Sequence, residues 1–237
     1  MPRRWSSIRS RTLNVADPVR SWDDYFIPGT EVLQNRLGIV DADELQAAET
    51  KIVAVRLAGI ALAPVTGHFD FAHFKAIHRR LFKDVYAWAG QVRTAPWLDR
   101  MTKSAPDVVD YRVGDPAAPL VSYGYFPASL IENAQIEQHT KLAGEKFLRG
   151  LSRVRFAERL ADYWNELNAI HAFREGNTRT QFVFFSQLAQ QAGWPLDPRF
   201  FVTGQPLADQ FVAARFYGQA TGNPARLADV LLKSIPA

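Results

Sequence analysis

Nine consecutive residues hold most of the chemistry in this sequence: His171-Ala172-Phe173-Arg174-Glu175-Gly176-Asn177-Thr178-Arg179. His171 carries a side chain that takes a proton near neutral pH. Glu175 offers a hard carboxylate oxygen of the kind that Mg2+ on a phosphate prefers. Gly176 permits a tight backbone path, and Asn177 is a good helix N-cap. A helix starting there turns its free N–H groups and its positive dipole end back onto the loop, which makes an anion site. Arg179, in the first turn, adds a guanidinium fork that matches a phosphate. Phe173 reads as an apolar peg that fixes the loop to the core. A lone histidine is most often structural, and a lone loop glutamate is most often solvated. A base, a metal ligand, a phosphate nest and an arginine this close together point instead to transfer of a phosphorus-centred group to a hydroxyl.

The loop needs two helices to position it, and the flanking periodicity supplies them. Upstream, Ser152 caps a run in which Phe156, Leu160, Tyr163, Trp164, Leu167 and Ile170 share an apolar face. Downstream, the stretch from Thr178 to Gln191 is apolar nearly all round (Phe182, Val183, Phe184, Phe185, Leu188, Ala189), as a central buried helix would be. Earlier, Asp41 with Glu44 three residues on reads as a capping box for a helix carrying Leu45, Ala48, Ile52, Val55 and Leu62. Asp70 opens another, with Phe74, Ile77, Leu81 and Phe82 on one face. A further helix resumes at Ser129, and two shorter ones are expected at about 206–219 and 224–235. Residues 91–127 are rich in proline and glycine and read as a long excursion with a hairpin. The expected class is mainly α. His68, His73 and His78 are five apart and so do not share a helix face as a metal pair would; they read as ordinary, and His139 reads as a surface residue.

Composition bounds the rest. The 237 residues are 47% hydrophobic and 22% charged, which excludes a wholly disordered chain. There is no cysteine, hence no disulfide, no cysteine metal site and no thiol nucleophile. No apolar run approaches the ~18 residues of a membrane helix, and no apolar segment follows the N-terminal charges as in a signal peptide. The net charge of +4 lies in residues 1–20, which carry five arginines against Asp17. Taking these from 28 Lys+Arg and 24 Asp+Glu leaves 23 of each, so the body is neutral and nucleic acid is an unlikely partner. The expected organisation is a basic flexible arm over 1–20, a catalytic domain over 21–205 with the excursion at 91–127, and C-terminal helices over 206–237 packed on the same domain.

His-Ala-Phe-Arg-Glu-Gly-Asn-Thr-Arg-Thr-Gln-Phe (171–182) resembles the motif of the Fic (Fic/Doc) domain proteins, His-Pro-Phe-x-Asp/Glu-Gly-Asn-Gly-Arg-x-x-Arg. Residues 77–82 and 86–93 resemble the segment before that family's flap, and 126–132 its exit, so about residues 30–200 are covered. The resemblance implies a Fic-type helical bundle with a β-hairpin flap. It implies a protein adenylyltransferase that moves AMP from ATP to a Tyr, Thr or Ser hydroxyl. His171 would be the catalytic base, Glu175 would hold Mg2+, and Gly176, Asn177, Thr178 and Arg179 would cradle the phosphates. A target protein would dock on the flap by strand addition. Three positions depart from the motif: Ala172 for Pro, Thr178 for Gly and Phe182 for the final Arg, which in the family helps hold the distal phosphates of ATP. Two alternatives therefore stay open, transfer of another nucleotide or a phosphate, and a binding module without turnover. The family's inhibitory pattern, Ser/Thr-x-x-x-Glu-Gly/Asn, is not met at Glu132-Asn133 or at Glu175-Gly176. The resemblance then implies either a separate small antitoxin-like inhibitor or no such control. The expected location is the cytoplasm, with delivery to another cell as the effector alternative.

Overall fold

The computed structural model of the chain describes residues 21–202 and 204–236. The expected arm over 1–20 lies outside them. Asp41 accepts from the Glu44 N–H at 2.9 Å and opens α1 (Ala42–Leu62) as the capping box predicts. The buried stripe of that helix is Leu45, Glu49, Val53 and Ile60, while Val55 and Leu62 are 71% and 89% exposed. Both faces of α1 are apolar, so spacing alone does not tell which one turns inward.

Asp70 caps α2 (Phe71–Phe82) through the His73 N–H, and its inner face is Phe74, Ile77, His78, Leu81 and Phe82. The excursion forms a hairpin of β1 (Thr102–Pro106) and β2 (Leu120–Gly124), antiparallel, with Ser104 opposite Ser122. Next come α3 (Ala128–Gly144), which Pro127 precedes without a side-chain cap, and α4 (Arg153–Ile170), which Ser152 caps. The chain ends with α5 (Asn177–Ala192), α6 (Pro206–Thr221) and α7 (Ala225–Ser234).

The core lies between α2, α4 and α5. Trp164, Phe156, Leu160, Phe184, Phe185 and Leu188 are fully buried, each worth roughly 1.5–3 kcal/mol by transfer from water for the aliphatic and phenyl side chains. Trp164 stacks on Phe185 at 4.6 Å. α6 and α7 close the outer side of α4. There the Arg153 guanidinium donates to Leu232 O and Ile235 O and satisfies the last carbonyls of α7.

His139 is 4% exposed among Phe71, Phe74 and Phe184, which corrects the surface assignment. Its position on α3, with Ile131, Gln135 and Leu142, is the inward one. His73, His78, His139 and His171 are all held below the ordinary histidine value of 6.5, in each case first by burial, His78 to about 3. An unfolded chain protonates these rings near pH 6.5, so below that pH the unfolded state binds more protons. Stability is therefore complete above pH 6.5 and falls as the pH drops, by up to roughly 1.4 kcal/mol per pH unit for each ring until its folded value is reached. The Tm at pH 5.5 is expected several degrees below that at pH 7.5. Equal values by calorimetry would contradict four neutral rings.

Candidate functional site

The loop between α4 and α5 is anchored from five directions. Its own lacing comes first. Asn177 Nδ2 donates to Phe173 O at 2.7 Å, and Phe173 N–H donates to Asn177 Oδ1 at 2.9 Å. Asn177 was expected as the N-cap of α5. It is instead the first helical residue, and Gly176 takes the cap position in the left-handed region at φ 80°. The amide of Asn177 is spent on closing the loop. Thr180 Oγ1 donates to Gly176 O at 2.9 Å and tightens the same turn.

α2 supports the loop from below. His78 accepts from the Gly90 N–H at Nδ1, 2.7 Å away, so its Nε2 carries the hydrogen and donates to Glu175 O at 3.0 Å. Its ring stacks on Phe173 at 3.8 Å. Phe173 is fully buried against Phe74 as well. Phe82 packs so closely that a Cβ on Gly176 would lie 2.3 Å from its ring. His78 was read as ordinary, yet it holds the motif loop. Its partner is 97 residues away, and nothing in the local spacing shows it.

The segment after α2 supplies Arg93, which is 1% exposed. Its Nε donates to His171 O at 2.8 Å, and its NH2 to Phe126 O. A buried cation thus sits at the C-terminal end of α4, where the helix dipole is negative. Burial lowers Arg93 to about 10. The fourth anchor is the N-terminal lead-in: the Arg174 guanidinium lies 4.0 Å from the ring of Trp22 and 5.1 Å from that of Phe26. The fifth is the exit from β2, where Phe126 N–H donates to Ala169 O at 3.1 Å.

His171 ends α4 in the left-handed region, φ 52°. That turn swings its side chain out of the helix and toward Tyr125, ring to ring at 3.9 Å. Burial pushes its pKa well below the ordinary value, and Arg93, Arg215 and Lys103 push it the same way. The imidazole is therefore neutral at pH 7 and can accept a proton.

Glu175 is half-exposed beside the N-terminus of α5. Its Oε1 accepts from its neighbour's N–H at Gly176, 2.8 Å away, and lies 3.3 Å from Arg179 NH2. Arg179 also pairs with Glu49 of α1 through NH1 at 2.6 Å, and lies 4.7 Å over the Phe82 ring. Glu49 in turn accepts from the Tyr86 hydroxyl. Sequence reasoning passed over Glu49. Its signal was a carboxylate on the stripe Leu45–Glu49–Val53, where an apolar residue would be ordinary. Thr178 is exposed in the first turn. Phe182 packs on Phe201 at 5.0 Å and lies near Trp164.

Among the described residues no group of three His, Cys, Asp or Glu side chains could hold a metal ion by itself. Glu175 alone fits a Mg2+ that arrives on phosphates and brings most of its own oxygen ligands. No helix among the described residues is long and apolar enough to cross a membrane.

A family model described as the Fic/DOC family matches residues 68–189. The protein adenylyltransferase VbhT of Bartonella schoenbuchensis is 38% identical over 175 residues, covering 74% of this chain and 32% of that protein. The protein named Probable protein adenylyltransferase Fic of Escherichia coli is 35% identical over 174 residues, covering 73% of this chain and 76% of that protein. The chain thus spans about a third of the length of the former and three quarters of the latter. Among solved structures, BepC of Bartonella tribocorum with bound AMPPNP superimposes with a TM-score of 0.72 at 24% identity, over 90% of this chain and 97% of that one. The type IV secretion system effector BepA gives a TM-score of 0.74 at 24% identity over 92% and 70%. These two show likeness of fold.

Proposed function

Because the chain belongs to the Fic/DOC family, we propose that it is a nucleotidyltransferase that moves AMP from ATP to a hydroxyl of a protein. The observation that carries this reading is that His171 and the N-terminus of α5 lie on one loop laced by Asn177 and anchored by His78 and Arg93, with Arg179 in the first helical turn. The acceptor hydroxyl gives its proton to His171 as its oxygen attacks the α-phosphorus. The bond from that phosphorus to the bridging oxygen breaks and pyrophosphate leaves. The free first-turn N–H groups of α5 and the Arg179 guanidinium hold the phosphates. Glu175 is the residue that would hold Mg2+, which offsets phosphate charge when bound. The two-stranded hairpin retains backbone edges on which an extended target segment can add as a further strand.

Two of the relatives, the protein adenylyltransferase VbhT and the Probable protein adenylyltransferase Fic, support the choice of AMP. The packing of Phe182 on Phe201 favours a second reading, in which the distal phosphates are held less firmly than by an arginine. A Phe182→Arg variant is expected to bind ATP on the order of tenfold more tightly, the size of one added hydrogen bond to a charged group. Its Tm should fall, because the aromatic contact is lost. Titration calorimetry with ATP checks this, and unchanged affinity would mean that another group already fills the role.

The reading itself is tested by mass spectrometry of the protein incubated with ATP, Mg2+ and a cell lysate. The expected result is an AMP adduct on a Tyr, Thr or Ser. A phosphate or a different nucleotide in its place would redirect the reading to another donor. Binding of nucleotide with no adduct on any protein would favour the module without turnover.

A further inference from the structure

Side chains of α6 reach the far side of His171, and α6 lies beyond the residues 68–189 that the family model matches. Gln219 Nε2 donates to Gly124 O at 2.8 Å, at the end of β2, and its Oε1 accepts from Asn168 Nδ2 at 3.2 Å. Arg215 donates through NH2 to Asn168 Oδ1. Asn168 lies in the last turn of α4, three residues before His171, and Tyr125, whose ring faces the imidazole, directly follows Gly124.

Arg215 is 8% exposed, its Nε has no hydrogen-bond partner, no carboxylate among the described residues pairs with it, and its guanidinium meets only the Asn168 amide and, at 5.5 Å, the Phe211 ring. A buried unpaired cation costs several kcal/mol, and an apolar side chain would fill the same space at less cost. Packing alone therefore gives no reason for an arginine here. His171 Nδ1 is buried with no hydrogen-bond partner.

We propose that Arg215 and Gln219 are positioning residues, which hold Asn168 in the last turn of α4 and the strand exit that carries Tyr125 on either side of His171, so that the ring keeps one orientation toward the acceptor hydroxyl. This rests on the reading of His171 as the base. The clamp also ties the base of the hairpin and the end of α4 to the same helix, so the target-docking element and the base move together.

The test uses Arg215→Gln, Arg215→Lys and Gln219→Leu in the full chain, with two readouts. The first is the NMR spectrum of the histidine rings, in which His171 is assigned by its loss in His171→Ala. The Tyr125 ring 3.9 Å away shields it, and Gln219→Leu and Arg215→Gln are expected to move its resonances toward the values of a ring without that neighbour. The second is AMP transfer. A fall in kcat of about tenfold is expected in both variants, with KM for ATP within twofold and recovery of at least half the loss in Arg215→Lys. Unmoved ring resonances in Gln219→Leu, or a lowered Tm with kcat per folded molecule unchanged, overturns the proposal. Should Arg215→Gln fail to fold, the partly exposed Gln219 still decides the matter. The ring spectrum needs no turnover. Resonances that shift as expected in a protein that makes no adduct would support the clamp and refute the transfer reading.

Discussion

Replacing His171 by alanine is expected to lower AMP transfer by roughly 10²–10⁴-fold while ATP binds as before. The separation follows from where the side chain acts. In the proposed reaction the ring meets the acceptor hydroxyl, and the turn from Gly176 to Arg179 holds the phosphates. Alanine also keeps the loop. The left-handed backbone at His171 is stabilised by main-chain contacts, Arg93 Nε to His171 O and His171 N–H to Leu167 O, neither of which needs the imidazole. Single-turnover rates and calorimetric affinities on the same preparation measure the two effects independently. Transfer that survives in this variant would remove His171 from the role of base, and a matching loss of affinity would mean that the loop had collapsed.

The second large effect is structural. A Gly176→Ala substitution is expected to destabilise the fold by about 3 kcal/mol and to weaken nucleotide binding more than tenfold. Two costs combine. The residue sits at φ 80°, where a Cβ is strained by roughly 1–2 kcal/mol. That Cβ would also overlap the Phe82 ring at 2.3 Å, and relieving it moves either the ring or the turn. A displaced turn carries the first N–H groups of α5 away from the phosphates. At 2–4 °C per kcal/mol for a chain of this size, the Tm should fall by about 6–12 °C. The pair Gly176→Ala with Phe82→Ala discriminates the causes. If overlap dominates, the double variant is less destabilised than the sum of the singles. If the two effects simply add, the strain lies in the backbone alone.

The motif loop was readable in the sequence because its chemistry is contiguous. His171, Phe173, Glu175, Gly176 and Arg179 need only one turn of chain to meet, and the apolar runs on either side announce their helices. The hairpin announced itself by its prolines and glycines. What stayed hidden depends on contacts between distant segments. His78 and Glu49 sit on helix faces where they pass for core or surface residues until α1, α2 and α5 are packed together. Arg93, Arg215 and Gln219 act by donating to main-chain carbonyls and amides, which leave no mark on hydropathy. The inward face of α1 was ambiguous because Val55 and Leu62 are as apolar as Val53 and Ile60. Asn177 misled for a different reason. Its residue type fits a cap, but a side chain that can bond both groups of Phe173 satisfies two buried main-chain atoms at once, which a cap contact does not.

If the site takes a nucleotide as proposed, the pairing of Arg179 with Glu49 and Glu175 makes its entry an ion exchange. The arginine is already compensated when the site is empty, so a phosphate trades places with carboxylates rather than meeting a bare cation. The long-range attraction is correspondingly weak, and the association rate of ATP should respond little to ionic strength. A single inorganic phosphate offers too few contacts to displace two carboxylates. A triphosphate with its divalent cation offers Glu175 a new partner in return, so the resting site stays free of the small anions that would crowd an uncompensated arginine.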